Sequence, residues 1–275
     1  MLHILTLTWN GSDKLSKLND SLLPCLDGLD YNWLIKDNDS KDDTLIKVAN
    51  WENKNVNCIQ YKNNLQNFSA GMNFLFKEAS PKDDDLILLL NNDVIFQDTT
   101  SVRNMINIMN KDQSVGAVGA RLLYTNTNKL QHAGVVFDNN HKLPCHFRSN
   151  EVSSKEDRKN RQFQVVTGAV LLTKAEYFKN VFSNKSGDYG MDENYHWAFD
   201  DVDLCLSIKY NLKKKIVYCG QTNIFHEESA SLKKNPTNHL FMKHNINYLK
   251  NKWQNRYQLD KDIYTKDSKH NLYQE

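Results

Sequence analysis

Apolar runs and polar clusters alternate through the first ninety residues, and the period of the pattern switches from one run to the next. Leu2–Thr8 is a short apolar run that reads as a buried strand. Ser12–Leu23 places Leu15, Leu18 and Leu22 at helical spacing. Tyr31–Lys36 is a second strand, Thr44–Trp51 a helix, Asn55–Gln60 a short strand and Ser69–Ala79 another helix. Asp85–Leu90 is a strongly apolar strand that stops at Asn91-Asn92-Asp93. This βαβαβαβ order predicts an α/β fold, with a mostly parallel sheet and helices on both faces. In such sheets a ligand sits beyond the carboxyl ends of the strands. Three polar clusters fall at those ends: Thr8–Asn10, Asp37–Asp43 and Asn91–Asp93.

The second half is less regular. Val115–Leu123, Gln131–Phe137, Val165–Leu172 and Ile216–Cys219 read as strands. Lys174–Asn180, Val202–Tyr210 and Leu240–Trp253 read as helices. His141–Arg161 is polar and reads as a mobile loop. With no internal repeat and no Pro/Ser-rich linker, one domain over 1–253 is the economical division. It comprises two halves (1–98 and 99–230) and a C-terminal helical extension (231–253), before a charged tail (254–275).

Composition narrows the class. Of 275 residues only 10 are Gly and 4 Pro, under half the usual share, which excludes collagen-like and low-complexity chains. A net charge of +2 from 35 basic and 33 acidic residues gives no electrostatic footprint for nucleic acid. Lys213–Lys215 and Lys233–Lys234 read as solvated surface. Five scattered cysteines without C-x-x-C argue against a disulfide framework or structural zinc and fit a reducing cytosol. The N-terminus lacks the basic region of a signal peptide, and no apolar run is long enough to span a bilayer.

Several familiar chemistries fail on inspection. No P-loop and no G-x-G-x-x-G is present. Counted from Asp37 as an EF-hand, position six is Asp42 rather than Gly and position twelve is Val48 rather than Glu. His226-Glu227 begins an H-E-x-x-H pattern whose fifth residue is Ala230. What remains is a carboxylate at a strand end, Asp93, of the kind that holds a hard cation against a diphosphate. There is also an acidic helix start, Asp200-Asp201-Val202-Asp203, and His226 just past a strand. Three carboxylates in four residues repel one another, and a helix N-terminus only partly offsets this. Asp203 reads as a structural first-turn acid.

In order along the chain stand ILTLTWNG, LIKDNDSKDDT, FSAGMN, LLLNNDV, VGAVGARLLY, LQHAGVVF, VVTGAVLLTKAEYF, AFDDVDLCLSIK and FHEESAS. This ordered set resembles family-2 glycosyltransferases of GT-A fold, of the rhamnosyltransferase-like, cell-surface-polysaccharide kind, from about Leu2 to Trp253. The resemblance implies that Thr8, Asn10, Asp37, Asn73, Asn92, Thr167 and Gly168 contact the nucleotide-diphosphate sugar. It implies Asp93 and His226 as the metal site, Asp201 as catalytic base and Asp200 as its supporting acid. Gln131 and His132 fall in the family's QHAG segment. The scarce glycines then mark the donor cleft, with Gly11, Gly71, Gly119, Gly134 and Gly168 inside family-like segments. Two departures stand out. The usual N-x-G-F reads Asn64-Leu65-Gln66-Asn67-Phe68, and the usual Arg-Asn of the last helix reads His244-Asn245.

The implied reaction is inverting transfer of a sugar to a hydroxyl of a glycan or lipid-linked acceptor, with Mn²⁺ or Mg²⁺ on the diphosphate. Tyr189, Tyr195, His196 and Trp197 are candidates for stacking on sugar faces. Trp253 and the charged tail are candidates for peripheral contact with the inner face of the membrane of the cytoplasm. A non-catalytic sugar-nucleotide-binding protein of the same fold is the alternative. A nucleotidyltransferase is disfavoured because the first loop, Trp9–Asp13, is neither Gly-rich nor basic.

Overall fold

The computed structural model describes residues 1–60, 67–181, 190–196, 198–227, 238–264 and 271–273. The first half runs β1 (Leu2–Thr8), α1 (Ser12–Leu22), β2 (Tyr31–Asp37), α2 (Thr44–Ala49), β3 (Val56–Gln60), α3 (Phe68–Ala79), β4 (Leu86–Leu90) and β5 (Val94–Phe96). The second begins α4 (Ser101–Lys111), β6 (Val115–Tyr124), β7 (Leu130–His132), β8 (Val135–Phe137), β9 (Pro144–His146), β10 (Arg161–Phe163) and β11 (Val170–Lys174). It ends α5 (Ala175–Asn180), α6 (Asp200–Tyr210), β12 (Lys215–His226) and α7 (Asn238–Trp253).

One sheet runs through both halves in the order β10-β12-β6-β11-β4-β1-β2-β3. The block β4-β1-β2-β3 is parallel, as the alternating pattern requires. Beyond it β11 lies antiparallel between β4 and β6, so the second half is mixed. Side-chain alternation along β1 divides the core into two layers. Leu5 packs with Met72, Leu75 and Phe76 from α3, while Leu2 and Ile4 pack with Leu15 and Leu18 from α1 on the other face. Helix α3 starts where Asn67 accepts the Ala70 N–H at 2.8 Å and stops at Ser80 in left-handed conformation.

Several elements differ from expectation. The Gln131–Phe137 run is two strands, because Gly134 takes φ +110 and turns the chain between them. Helix α4 lies where no element was expected, although Val102, Met105, Ile108 and Met109 carry helical spacing and are buried. Strand β12 continues seven residues past Cys219 to His226, after an irregularity beyond Cys219, and pairs there with β5 as well as β6. The polar stretch 141–161 is structured rather than mobile. Its charges satisfy one another: Arg148 pairs with Asp157, and both are under a tenth exposed. Asp157 also closes a capping box with Ser154, and its carbonyl accepts the Tyr218 hydroxyl at 2.7 Å.

The C-terminal charges also find partners. Tyr257 stacks on Phe137 with ring centroids 4.2 Å apart, and buried Asp260 accepts the Phe137 N–H at 2.8 Å. Trp253 is 1% exposed. Its Nε1 donates to Asp203 Oδ1 at 2.6 Å. That removes Trp253 from any membrane-docking role, since a buried indole has no face to offer a lipid. Among the described residues no helix is long and apolar enough to cross a membrane.

Asp203 anchors α6 to α7 and to the loop before α6. Besides Trp253 it accepts the Tyr195 hydroxyl at 3.1 Å and lies 2.9 Å from Lys252 Nζ. The expected structural role of Asp203 is what the geometry supplies. Replacing Asp203 by Ala takes the shared acceptor from two buried donors, the Tyr195 hydroxyl and the Trp253 N–H, and leaves Lys252 with Asp192 at 2.7 Å. The expected cost is about 3–5 kcal/mol, read as a lower urea midpoint with an unchanged slope.

Candidate active site

The loops after β1, β2 and β4 meet at one edge of the sheet, and hydrogen bonds knit the three expected polar clusters together. Thr8 Oγ1 accepts from Asn92 Nδ2 at 2.9 Å. A side chain at Gly11 would collide with both groups, its Cβ falling 2.5 Å from Thr8 Oγ1 and 2.6 Å from Asn92 Nδ2. Asn10 sits in left-handed conformation. Its N–H donates to Ser40 Oγ and its side-chain oxygen accepts the Lys41 N–H, both at 2.7 Å. Asp37 is fully buried, with Oδ2 accepting the Ser40 N–H at 2.9 Å. Its Oδ1 has no partner among the described residues. Burying an acceptor without a partner is costly.

Asp93 and His226 lie on one side of this edge. Pairing of Val94 with His226 in the β5–β12 ladder brings Asp93 Oδ1 to 3.1 Å from His226 Nε2. Asn91 Nδ2 is 3.3 Å from the same nitrogen. Burial pushes the Asp93 carboxyl up, but the His226 ring and the Lys14 ammonium, 3.2 Å away, outweigh it and hold it below the usual carboxylate range. On the far side of the ring, His226 Nδ1 lies 2.6 Å from Gln131 Oε1. Among the described residues no third His, Cys, Asp or Glu completes a metal cage. A carboxylate and an imidazole with open positions fit a divalent cation that takes its remaining ligands from substrate phosphates and water.

A cleft beside them is lined by Asn91, Thr167, Gly168, Asp200, Asp201 and His226. The two acids open α6, and the chain enters that helix through Ala198 and Phe199, both in left-handed conformation. Two consecutive non-glycine residues in that region are strained. The Asn245 amide from α7 donates to the Ala198 carbonyl at 3.0 Å and holds the turn. Asp201 Oδ2 accepts the Gly168 N–H and Oδ1 the Val202 N–H, each at 2.8 Å. Gly168 is obligatory for this approach, since a Cβ there would lie 2.9 Å from Asp201 Cβ. Burial, and next the Asp201 charge, push the Asp200 carboxyl up to about 7.

Not every expected residue joins the site. Asn73 is clamped to Met191, accepting its N–H at 2.7 Å and donating to its carbonyl at 2.8 Å. The same amide donates to Glu193 Oε1 at 2.9 Å, so it shapes the 190–193 loop. Tyr195 is buried with its hydroxyl on Asp203 and forms part of the cleft wall beside His196, which stays exposed. Gly71, Gly119 and Gly134 lie against Leu7, Val166 and Phe163 in the core, so among the family-like glycines only Gly11 and Gly168 border the cleft. Asn64–Gln66, Gly187, Tyr189, Trp197, Lys233–Lys234 and the 228–231 end of the last motif lie outside the described residues.

The family model for "Glycosyl transferase family 2" matches residues 4–182. The chain belongs to that family. The match is to the family as a whole and ends before Asp200, Asp201 and His226. No curated protein matches this glycosyltransferase-family chain. Its fold is that of GT-A enzymes. A GalNAc-T7 structure with UDP, GalNAc and Mn²⁺ superposes with TM-score 0.63 at 10% identity, over 84% of this chain and 44% of that one. S. aureus TarS 1–349 with UDP-GlcNAc gives 0.59 at 13%, over 84% and 59%. The Pyrobaculum calidifontis mannosyltransferase PcManGT with GDP-Man and Mn²⁺ gives 0.57 at 10%, over 84% and 58%. The family-2 chain thus spans about half the length of these structures.

The acidic pair has a cost in stability. Asp200 binds its proton more tightly folded than unfolded, so its destabilising effect is full above about pH 7 and is relieved as pH falls toward the ordinary carboxylate value of 3.8. Asp200→Asn is therefore expected to melt higher than the parent in mildly alkaline buffer. Calorimetry across pH should show the gap narrowing toward acid pH.

Proposed function

We propose that this chain transfers a sugar, with inversion, from a nucleotide-diphosphate sugar to a hydroxyl of a glycan or lipid-linked acceptor. The observation that carries the reading is the convergence of Asp93, His226 and the Asp200–Asp201 pair at one sheet edge beside the knitted loops of Thr8, Asn10, Asp37 and Asn92. The nucleotide sugars in the structures of GalNAc-T7, TarS and PcManGT support the donor class.

In this reading Asp37 and Thr8 bind the nucleoside. Asn10 and Asn92 hold the loops around it. Thr167 and Gly168 border the donor sugar. Asp93 and His226 would hold Mn²⁺ or Mg²⁺, which when bound neutralises charge on the departing diphosphate. Asp201 accepts the proton of the attacking hydroxyl. Its two oxygens already accept one N–H each, which fixes their direction, and each keeps a lone pair free for that proton. Asp200 beside it keeps the local field negative when ionised, favouring protonation of the base during attack. A base on the face opposite the leaving group yields inversion.

Asp201→Asn is expected to lower turnover by roughly 10²–10⁴-fold while calorimetric binding of the nucleotide sugar persists. Full turnover in that variant would remove Asp201 as base. Asp93→Ala is expected to abolish the gain in nucleotide-sugar affinity that Mn²⁺ confers on the parent. Equal affinity in parent and variant, with and without EDTA, would contradict the metal role.

A further inference from the structure

We infer that His132 is a positioning residue for Asp201: its imidazole bridges the Ala120 carbonyl and the Thr167 N–H, and so fixes the turn whose next N–H, that of Gly168, holds the Asp201 carboxylate. The consequence for sugar transfer rests on the reading of Asp201 as base; the fixing of the turn does not.

His132 ends the three-residue strand β7, which pairs with β6, and its side chain is fully buried. Two backbone groups decide how the ring is protonated. A carbonyl only accepts, so Nδ1 carries the proton that bonds Ala120 at 2.8 Å. An amide N–H only donates, so Nε2 keeps its lone pair for Thr167 at 3.2 Å. Burial, and next the nearby His146, push the pKa of the ring down to about 3, so the bridge is neutral. The His146 and Tyr218 rings stand steeply against it, with centroids 5.3 and 6.0 Å away, and restrict its rotation.

The segment that the ring supports is the irregular stretch between β10 and β11, held contact by contact rather than by a continuous ladder. The Val165 carbonyl accepts the Val135 N–H at 3.1 Å. Val166 lies against Gly119, where a Cβ would fall 2.4 Å from the valine Cβ. The Ala169 carbonyl accepts the Asn91 N–H at 2.9 Å. Between these supports stands Thr167, where the chain enters the cleft wall, and His132 holds its N–H. An apolar side chain in place of His132 would take a partner from two buried backbone groups at once, which is unfavourable. One residue on, the Gly168 N–H donates to Asp201 Oδ2 at 2.8 Å, while Oδ1 is held by the Val202 N–H of its own helix. If the turn moves, Asp201 keeps its helix contact and loses the one that sets the direction of Oδ2. A displacement of about 1 Å is enough to cost roughly 10²-fold in rate.

The test joins the Gly168 amide signal in the nitrogen-proton correlation spectrum of the full chain to steady-state kinetics of sugar transfer. His132→Leu fills the space but offers neither donor nor acceptor, whereas His132→Gln offers one of each. The Gly168 amide proton, drawn downfield in the parent by its bond to a carboxylate, should move upfield in His132→Leu and return toward the parent position in His132→Gln. In His132→Leu kcat should fall roughly 10–10²-fold with a smaller change in KM for the nucleotide sugar, and His132→Gln should recover most of the loss. Should His132→Leu fail to fold, His132→Asn, whose shorter amide reaches Ala120 but not Thr167, is expected to give the same two changes. A Gly168 signal that stays at the parent position in His132→Leu or His132→Asn overturns the proposal, and so does a shifted signal with kcat unchanged. Equal losses in His132→Gln and the other variants overturn the bridge. A parent that transfers no sugar counts against the transferase reading alone, because the Gly168 signal is read without substrate.

Discussion

The site depends on one short distance, the 3.1 Å between Asp93 Oδ1 and His226 Nε2, groups 133 residues apart in sequence. A carboxylate and an imidazole lone pair cannot share that space without a proton or a cation between them. The fold supplies the approach through backbone rather than side chains. Strand β12 runs past its irregularity to pair with β5, and the Glu227 N–H donates to the Asp93 carbonyl at 2.9 Å. The parallel block of the first half and the mixed block of the second are thereby closed on each other at the edge where the strand ends gather.

From that closure the chemical division of the cleft follows. The loops of β1, β2 and β4 are tied into one surface, beneath which Asp37 Oδ1 is buried without a partner among the described residues. The acids that open α6 face the same cleft from the second half, held by strained backbone at Ala198–Phe199 and by the Asn245 and Asp203 contacts to α7. The buried charges around the acids have different fates. Asp203 is paired with Lys252 and serves the scaffold, whereas Asp200 sits beside Asp201 and pays in stability for a negative cleft. Helix α6 is therefore fastened two residues beyond the Asp200–Asp201 pair.

Much of this was legible in the chain. Parallel βα units place polar residues at strand ends by topology, so Thr8, Asp37 and Asp93 could be found from periodicity, and the acidic start of α6 from its composition. The irregular half hides its structure for a physical reason. Its order comes from polar side-chain contacts across long separations, which leave no period. Asn245 on Ala198, Gln131 on His226 and Asn73 on Met191 are of that kind, separated by 47, 95 and 118 residues. The polar stretch 141–161 looked loose because its charges were counted singly, when Arg148 and Asp157 fold inward as a pair. Trp253 bonds a buried carboxylate, Asp203, that its polar sequence neighbourhood does not announce, and Tyr195 bonds the same carboxylate from the cleft wall.

On the proposed reading, a single cation would be shared between the protein and a diphosphate. Pulsed electron-spin-resonance on the full chain with Mn²⁺ and a nucleoside diphosphate reads that sharing directly. The prediction is one directly bound imidazole nitrogen and phosphorus coupling on the same ion, with the nitrogen signal lost in His226→Ala. Phosphorus coupling without nitrogen, or a nitrogen signal that survives in His226→Ala, would contradict it.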